Sequence, residues 1–143
     1  MIRIIAGGKK SPSWVAEGTL EYQKRLHKPF DVKWEFYEEE KLNKILAEWN
    51  FKSDEFVILT DERGKNISSI ELSQKLNDKF VEGKSVVIII GGAFGVSKEV
   101  REKADFVWSF SNLVFPHMLM RVMLIEQIYR AAEIASGGKY HHI

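Results

Sequence analysis

The fold is decided by the stretch Val86-Val87-Ile88-Ile89-Ile90, which is followed directly by Gly91-Gly92. Five consecutive apolar and β-branched residues favour a strand, and the lack of polar alternation indicates a strand covered on both faces. Such a strand is typical of the centre of a parallel sheet that has helices on either side. We therefore expect the rest of the chain to supply flanking strands and the helices that cover them.

Short apolar runs alternate with longer amphipathic segments on both sides of this stretch. Strands are predicted over residues 2–6, 32–37, 56–59, 86–90 and 106–110, and a charged loop over residues 60–66. Helices are predicted after the N-cap Ser11, over residues 39–49, from the capping box Ser68 and Glu71, over residues 97–103, and over residues 116–135 before Gly137-Gly138. This alternation predicts an α/β fold: a mostly parallel sheet of five to six strands with helices on both faces, in one domain over residues 1–143.

The composition is typical of a single globular domain and limits which kinds of protein this chain can be. The chain has 143 residues, of which 45% are hydrophobic and 29% are charged, as expected for one globular domain. No apolar run approaches the roughly 20 residues of a membrane helix, and the N-terminus resembles a strand rather than a signal peptide. There is no cysteine, which excludes disulfides and thiolate metal sites and is consistent with a reducing cytosol.

The charge pattern does not by itself indicate RNA binding. The formal net charge is +1, whereas a free-standing RNA-binding protein is more often strongly basic. Basic residues cluster at Lys9-Lys10, at Lys24-Arg25 with His27-Lys28, and at Arg63 with Lys65. Taken singly, each cluster is best interpreted as a solvated face.

Three segments lie at the carboxyl ends of predicted strands, where parallel sheets bind ligands: residues 59–65, 91–95 and 110–115. The glycines of the second segment lack the G-x-G-x-x-G spacing of a dinucleotide site, and no P-loop is present, so neither NAD nor ATP is favoured. From these residues alone, a ligand-binding loop and a plain tight turn are equally good interpretations of Gly91-Gly92.

The last predicted helix is apolar nearly all round and must be buried on more than one side. A second subunit is favoured over burial wholly within the monomer as the cover for its outer side.

The start of this helix and its charged residues are candidate functional groups. If Phe115 is the N-cap, the amides of His117 and Met118 lack a local acceptor and are available to bind a ligand or water. Arg121, inside an apolar stretch, needs an anionic partner. That partner is either structural, such as a carboxylate or the chain terminus, or a substrate phosphate, and the structural alternative is favoured. For His117 the structural alternative is favoured more strongly, and Glu126 and Arg130 are predicted to pair.

The chain ends in Tyr140-His141-His142-Ile143. A metal site is a weak hypothesis here, because no cysteine or H-x-x-x-H spacing accompanies the two histidines. Four terminal residues are commonly disordered, but the aromatic Tyr140 and the apolar Ile143 favour an ordered tail.

Three stretches together resemble the RlmH family of SPOUT-class methyltransferases. They are the segments 87–97, with Gly91-Gly92-Ala93-Phe94-Gly95, 108–117, which ends in Phe115-Pro116-His117, and 120–131, with Arg121, Glu126-Gln127 and Tyr129-Arg130-Ala131. The terminal Tyr140-His141 and the opening segment 4–9 are also similar to the family. The resemblance covers essentially the whole chain in order.

The resemblance implies several properties that the residue patterns do not show. These are a C-terminal trefoil knot, an exception to the rule against threaded chains, an obligate homodimer, and methylation of N3 of a pseudouridine in 23S ribosomal RNA of the assembled ribosome. The methyl donor would be S-adenosylmethionine, with no metal. The cofactor-binding residues that it implies are Leu59, Gly91, Gly92, Phe110, Ser111, Asn112, Leu113, Val114 and Phe115.

For the chemistry, we expect His141 to act as base or orienter across the dimer, because the acceptor imide must lose a proton. Arg121 and His142 are expected to position phosphate or developing negative charge. Relatives often carry arginine where this chain has His142, which is only partly charged near neutral pH.

The alternative to an enzyme is a nucleotide-binding or ribosome-associated module without catalysis, which would bind ribosomes but not the methyl donor. A dehydrogenase comes third.

Overall fold

A computed structural model describes residues 1–8, 10–93 and 95–142. Lys9 of the basic pair, Phe94 of the glycine loop and the terminal Ile143 lie outside the described residues, so the expectations that involve them are not addressed by it. No helix in the described part of the chain has the length and apolar character needed to span a bilayer.

Strands and helices alternate along the described residues. The strands are β1 (Ile2–Gly7), β2 (Val32–Tyr37), β3 (Glu55–Lys65), β4 (Ser85–Ile90) and β5 (Phe106–Trp108). The helices are α1 (Ser13–Gln23), α2 (Glu39–Glu48), α3 (Ser69–Val81), α4 (Lys98–Lys103) and α5 (His117–Ala135). All strand pairs are parallel, in the order β2-β1-β4-β3-β5. The predicted α/β fold and the central position of residues 86–90 are confirmed.

Two apolar clusters cover the two faces of the sheet. One packs α1, α3 and α5 on the sheet through residues such as Ile88, Leu124 and Ile128, all with no exposed surface. The other packs α2 and α4 on the opposite face through Leu46 and Ile89. Alternate residues of β4 face alternate layers, which explains why the whole strand is apolar.

Four boundary predictions were wrong. Residues 60–65 are not a loop but the second half of β3, whose register against β5 shifts between Thr60 and Lys65, and β5 ends earlier than predicted, at Trp108. Pro12, not Ser11, is the N-cap of α1, because the Ser11 hydroxyl accepts a hydrogen bond from Arg121 instead. Pro116, not Phe115, is the N-cap of α5, since the fixed ring torsion of proline suits the residue that enters a helix.

Other local predictions are confirmed. Ser68 accepts from the Glu71 amide and the Glu71 carboxylate reaches back to Ser68, which is a complete capping box for α3. Helix α5 ends before Gly137, whose φ of +75° is a conformation that favours glycine at a helix C-terminus.

A charged network joins three strands on the α2–α4 face of the sheet. Arg3 on β1 binds the Glu35 carboxylate at 2.7 and 3.1 Å and that of Glu55 at 3.0 Å, and it lies over the Trp49 ring. The hydrogen bond from Arg3 holds the pKa of Glu35 below its usual value of 4.5. A carboxylate whose pKa is lowered by folding stabilises the fold above its unfolded pKa and loses that stabilisation as pH falls through its folded pKa.

We therefore expect the free energy of unfolding to fall as pH decreases below about 4.5, and Arg3→Met to flatten that dependence because Glu35 loses the partner that lowers its pKa. Urea unfolding at a series of pH values measures this. Lys41→Met is the matched control, because the Lys41–Glu38 pair is exposed on both sides and contributes little. An Arg3→Met protein with the same pH slope as the parent would contradict the assignment.

Candidate cofactor site

The carboxyl ends of β3, β4 and β5 meet the start of α5 around one cavity of about 640 Å³. This size lies within the range usual for small-molecule sites. The lining residues are Thr60, Asp61, Glu62, Arg63, Ile90, Gly91, Gly92, Ala93, Trp108, Ser109, Phe110, Ser111, Leu113, Val114, Phe115, Pro116, His117 and Met120. The three segments that the sequence places at strand ends are therefore neighbours in space.

Most of the residues expected to bind the cofactor border this cavity, and two do not. Gly91, Gly92, Phe110, Ser111, Leu113, Val114 and Phe115 are lining residues. Leu59 has no exposed surface and packs in the cluster under α2 and α4, while Thr60, the next residue, borders the cavity. The reason is strand alternation, which points consecutive side chains to opposite faces. Asn112 is exposed and is not among the lining residues.

Gly91 and Gly92 form a tight turn, which is one of the two alternatives that the sequence leaves open, and this turn borders the cavity. A Cβ on Gly92 would lie 2.4 Å from Cγ of Glu39, so the turn packs tightly against α2. The Gly92 carbonyl accepts a bond from the Gly95 amide at 2.9 Å, and the Ala93 amide donates to the Glu39 carboxylate. The same two glycines form a wall of the cavity. They make a compact turn that also leaves room for a ligand.

Hydrogen bonds tie the segment after β5 to the end of β3. The Ser109 amide donates to the Lys65 carbonyl at 3.0 Å, and the Asn66 side chain donates to the Ser109 carbonyl at 2.9 Å. Within the segment, Ser111 accepts from the Leu113 amide at 3.1 Å. Leu113 and Val114 are 69% and 77% exposed, although both are apolar and border the cavity. Exposed apolar side chains at a cavity favour an apolar ligand group there.

The polar groups at the cavity fit the charges of S-adenosylmethionine. Asp61 pairs with Arg63 at 2.7 Å, and the hydrogen bond from Arg63 lowers the pKa of Asp61, so its carboxylate is anionic at neutral pH. Glu62 also borders the cavity, so two acidic groups face the single cation Arg63 among the described lining residues, and this excess of negative charge suits the positive sulfonium and amine of the methyl donor. The α5 N-cap, Pro116, offers no side-chain acceptor to the first-turn amides, and helix N-termini favour a carboxylate.

Arg121 lies outside the cavity lining and has no exposed surface. Its guanidinium donates to the Ser11 hydroxyl at 3.0 Å and to the Gly7 carbonyl at 3.1 Å, and it lies 4.8 Å from the centre of the Phe36 ring. Burial lowers the pKa of Arg121. These contacts join α5 to the end of β1 and give Arg121 a structural role in the protomer.

His141 and His142 also lie outside the cavity lining. Tyr140 donates a hydrogen bond to Glu126 at 3.1 Å, and Arg130 contacts the His141 ring at 3.0 Å, so the tail packs on α5 of its own protomer. His142 is exposed. The expected pairing of Glu126 with Arg130 is confirmed at 2.6 Å.

Several lining residues escape sequence reasoning. Thr60 and Asp61 lie in the segment 59–65 that the sequence places at a strand end, but Leu59 was the residue of that segment expected to bind the cofactor. His117 borders the cavity, whereas the sequence favours a structural role for it. Trp108 and Met120 carry no local signal, because apolar residues at these positions are equally compatible with the core.

The whole chain matches known proteins. A family described as "Predicted SPOUT methyltransferase" matches residues 1–141. Ribosomal RNA large subunit methyltransferase H of Desulfitobacterium hafniense (strain Y51) is 42% identical over 98% of each chain. The protein of the same name from Psychrobacter sp. (strain PRwf-1) is 37% identical over 98% of this chain and 97% of its own.

A solved structure shares the fold. It is described as a probable methylase family protein from Haemophilus influenzae Rd KW20, and it is similar with a TM-score of 0.55 and 15% identity over 95% of this chain and 66% of that chain. The full-length sequence matches identify the family, and they confirm the resemblance to SPOUT-class methyltransferases. The chain belongs to the SPOUT methyltransferase family, and within it to the ribosomal RNA large subunit methyltransferase H proteins.

Proposed function

We propose that this protein transfers a methyl group from S-adenosylmethionine to N3 of a pseudouridine in 23S ribosomal RNA, acting in the cytoplasm on the assembled ribosome. The observation that carries the proposal is the convergence of three strand ends on one cavity in a chain whose relatives are named ribosomal RNA methyltransferases. The net charge of +1 supports the assembled ribosome as the substrate. In the ribosome the RNA is already folded and presented, so the protein needs less electrostatic attraction to bind it.

Bound S-adenosylmethionine supplies an activated methyl group on its sulfonium. In this proposal the apolar side chains of Phe110, Leu113 and Val114 would hold the apolar part of the cofactor. The amides at the start of α5 would bind its carboxylate, and the acidic Asp61 would favour its positive charges. The chain thereby aligns the donor and excludes water, which is the main requirement for transfer from an already reactive methyl group.

The acceptor nitrogen belongs to an imide and must lose its proton before it attacks a methyl group. We propose that His141 assists as base or orienter, and that the exposed His142 contacts RNA phosphate. Arg121 is a positioning residue in this scheme. Its buried guanidinium holds the N-terminal half of α5 against β1 and thereby maintains the wall of the cavity formed by His117 and Met120.

We propose that the protein acts as a homodimer. We also propose that each protomer contains the trefoil knot of the family. Helix α5 buries one face against the sheet, α1 and α3, so the monomer covers more of it than the sequence implies. Apolar side chains remain outside this contact: Trp14 and Leu20 on α1 are 55% and 62% exposed, and Leu119 on α5 is 36% exposed. A second copy seated on these neighbouring helices would cover them.

Calorimetry followed by labelled methyl transfer tests the function. We expect S-adenosylmethionine and S-adenosylhomocysteine to bind and NAD not to bind. We expect mass spectrometry to locate one methylated pseudouridine in ribosomal RNA after incubation with intact ribosomes. Binding to ribosomes without affinity for either methyl-donor compound would instead establish a non-catalytic module.

A further inference from the structure

The Glu126 carboxylate accepts hydrogen bonds from the C-terminal tail and from α5. Its Oε1 accepts from Nη2 and Nε of Arg130 at 2.6 and 2.9 Å and from the Tyr140 hydroxyl at 3.1 Å. Burial, with hydrogen bonds to Tyr22 and Glu126, raises the pKa of Tyr140 to about 12, so the phenol remains a donor at neutral pH. A half-buried carboxylate with this many donors fixes the groups around it.

The same carboxylate is anchored on its other side. Its Oε2 accepts from Nε2 of the Gln127 side chain at 2.7 Å, and Oε1 of the same side chain accepts from the Ser69 hydroxyl at 2.6 Å. Ser69 is the first residue of α3, which the complete capping box orders. Tyr140 and His141 are thus connected to a well-formed helix terminus by side-chain hydrogen bonds.

Arg130 connects this hydrogen-bond network to His141. Its Nη1 lies 3.0 Å from Nδ1 of His141. A guanidinium has no acceptor atom, so Arg130 must be the donor and Nδ1 must present its lone pair. In a neutral imidazole the proton then belongs to Nε2.

We propose that Glu126, acting through Arg130, is the positioning residue that holds His141 as the Nε2–H tautomer, so that His141 presents a hydrogen-bond donor to the substrate rather than a base. The inference deepens the proposed function, which leaves the base and the orienting role open. A donor there stabilises negative charge as it develops on an imide oxygen when N3 loses its proton. The proton then leaves to another acceptor, such as solvent.

Nitrogen NMR of the full-length protein tests the tautomer without any methylation assay. We expect the His141 ring to show one tautomer, protonated at Nε2, at neutral pH, whereas the exposed His27 in the same sample shows an exchanging mixture. A spectrum of His141→Gln assigns the resonance. In Glu126→Gln and Arg130→Met we expect His141 to become a mixture like His27, and in Arg130→Lys, which keeps a donor, we expect partial retention of the single form.

Kinetics provide the second readout. We expect Glu126→Gln to lower kcat roughly 10- to 100-fold, the loss that is typical when the partner orienting a metal-bound histidine is changed, with the KM for ribosomes nearly unaltered. A His141 ring protonated at Nδ1, or tautomers unaffected by Arg130→Met, would overturn the inference while leaving the proposed function intact. An Nε2–H ring in a protein that transfers no methyl group would overturn the proposed function and leave the tautomer assignment standing.

Discussion

Replacing His141 by alanine should lower kcat for methyl transfer to the ribosome by about 10²- to 10³-fold, the usual loss when one hydrogen-bonding group to a developing charge is removed. The affinity for S-adenosylmethionine should remain within about twofold, because His141 is not among the residues that line the cavity. Single-turnover transfer of labelled methyl groups gives the rate, and calorimetry gives the affinity.

His27→Ala is the matched control for this change. His27 is an exposed histidine in the loop between α1 and β2, remote in sequence from both the cavity segments and the tail. We expect its turnover to equal that of the parent protein. If His141→Ala turns over at the parental rate, the tail histidine has no part in the reaction.

Replacing Gly64 by alanine should lower the free energy of unfolding by about 3 kcal/mol, at the upper end of the usual cost of overpacking. Gly64 lies in the second half of β3, where a Cβ would stand 2.5 Å from the Val107 carbonyl oxygen and 2.8 Å from the Trp108 amide nitrogen. Both neighbours are backbone atoms of β5, so they cannot rotate away. The two strands must separate instead.

That separation should also weaken cofactor binding, since Asp61 and Arg63 of the same strand segment border the cavity. We expect a decrease in affinity for S-adenosylmethionine of roughly tenfold, equivalent to about 1.4 kcal/mol. Urea unfolding and calorimetry measure the two effects.

Gly18→Ala provides the comparison for Gly64. Gly18 lies inside α1, and a Cβ there would meet only Val122 methyl groups at 3.4 and 3.5 Å, which is ordinary contact. Alanine favours a helix over glycine by roughly 1 kcal/mol, so this variant should be as stable as the parent or slightly more stable. Equal stabilities for the two alanine variants would show that β3 and β5 are not in close contact at Gly64.

The predictions from sequence succeeded where one local signal was sufficient. The unbroken run 86–90 predicts a buried central strand, and Ser68 with Glu71 predicts a capping box, because both depend on neighbours a few residues away. The pairing of Glu126 with Arg130 follows from their spacing of four residues on a helix. The prediction that the segments following these strands lie close together follows from parallel topology alone, and they border one cavity.

The predictions failed where distant segments compete for a residue. Ser11 has the chemistry of an N-cap, but its hydroxyl serves Arg121, which is 110 residues away. Residues 60–65 look like a loop because they are charged, yet they belong to β3, and Thr60 and Lys65 both pair with Trp108 of β5 across a register shift. The contacts of Arg121 also come from distant segments: its guanidinium donates to the Ser11 hydroxyl and the Gly7 carbonyl and lies over the Phe36 ring, and no residue near it in the sequence signals these contacts.

The residue patterns predict the α/β class, the central strand and the complete capping box of α3, and the full-length similarity predicts the family. Three features become visible only in three dimensions: Thr60 rather than Leu59 borders the cavity, Gly92 packs against Glu39, and the His141 ring offers its Nδ1 lone pair to Arg130. The difference lies in the sequence separation of the residues that interact. Periodicity and capping are short-range properties of consecutive residues, whereas a cavity wall and a tautomer depend on which atoms of remote segments come within hydrogen-bonding or contact distance.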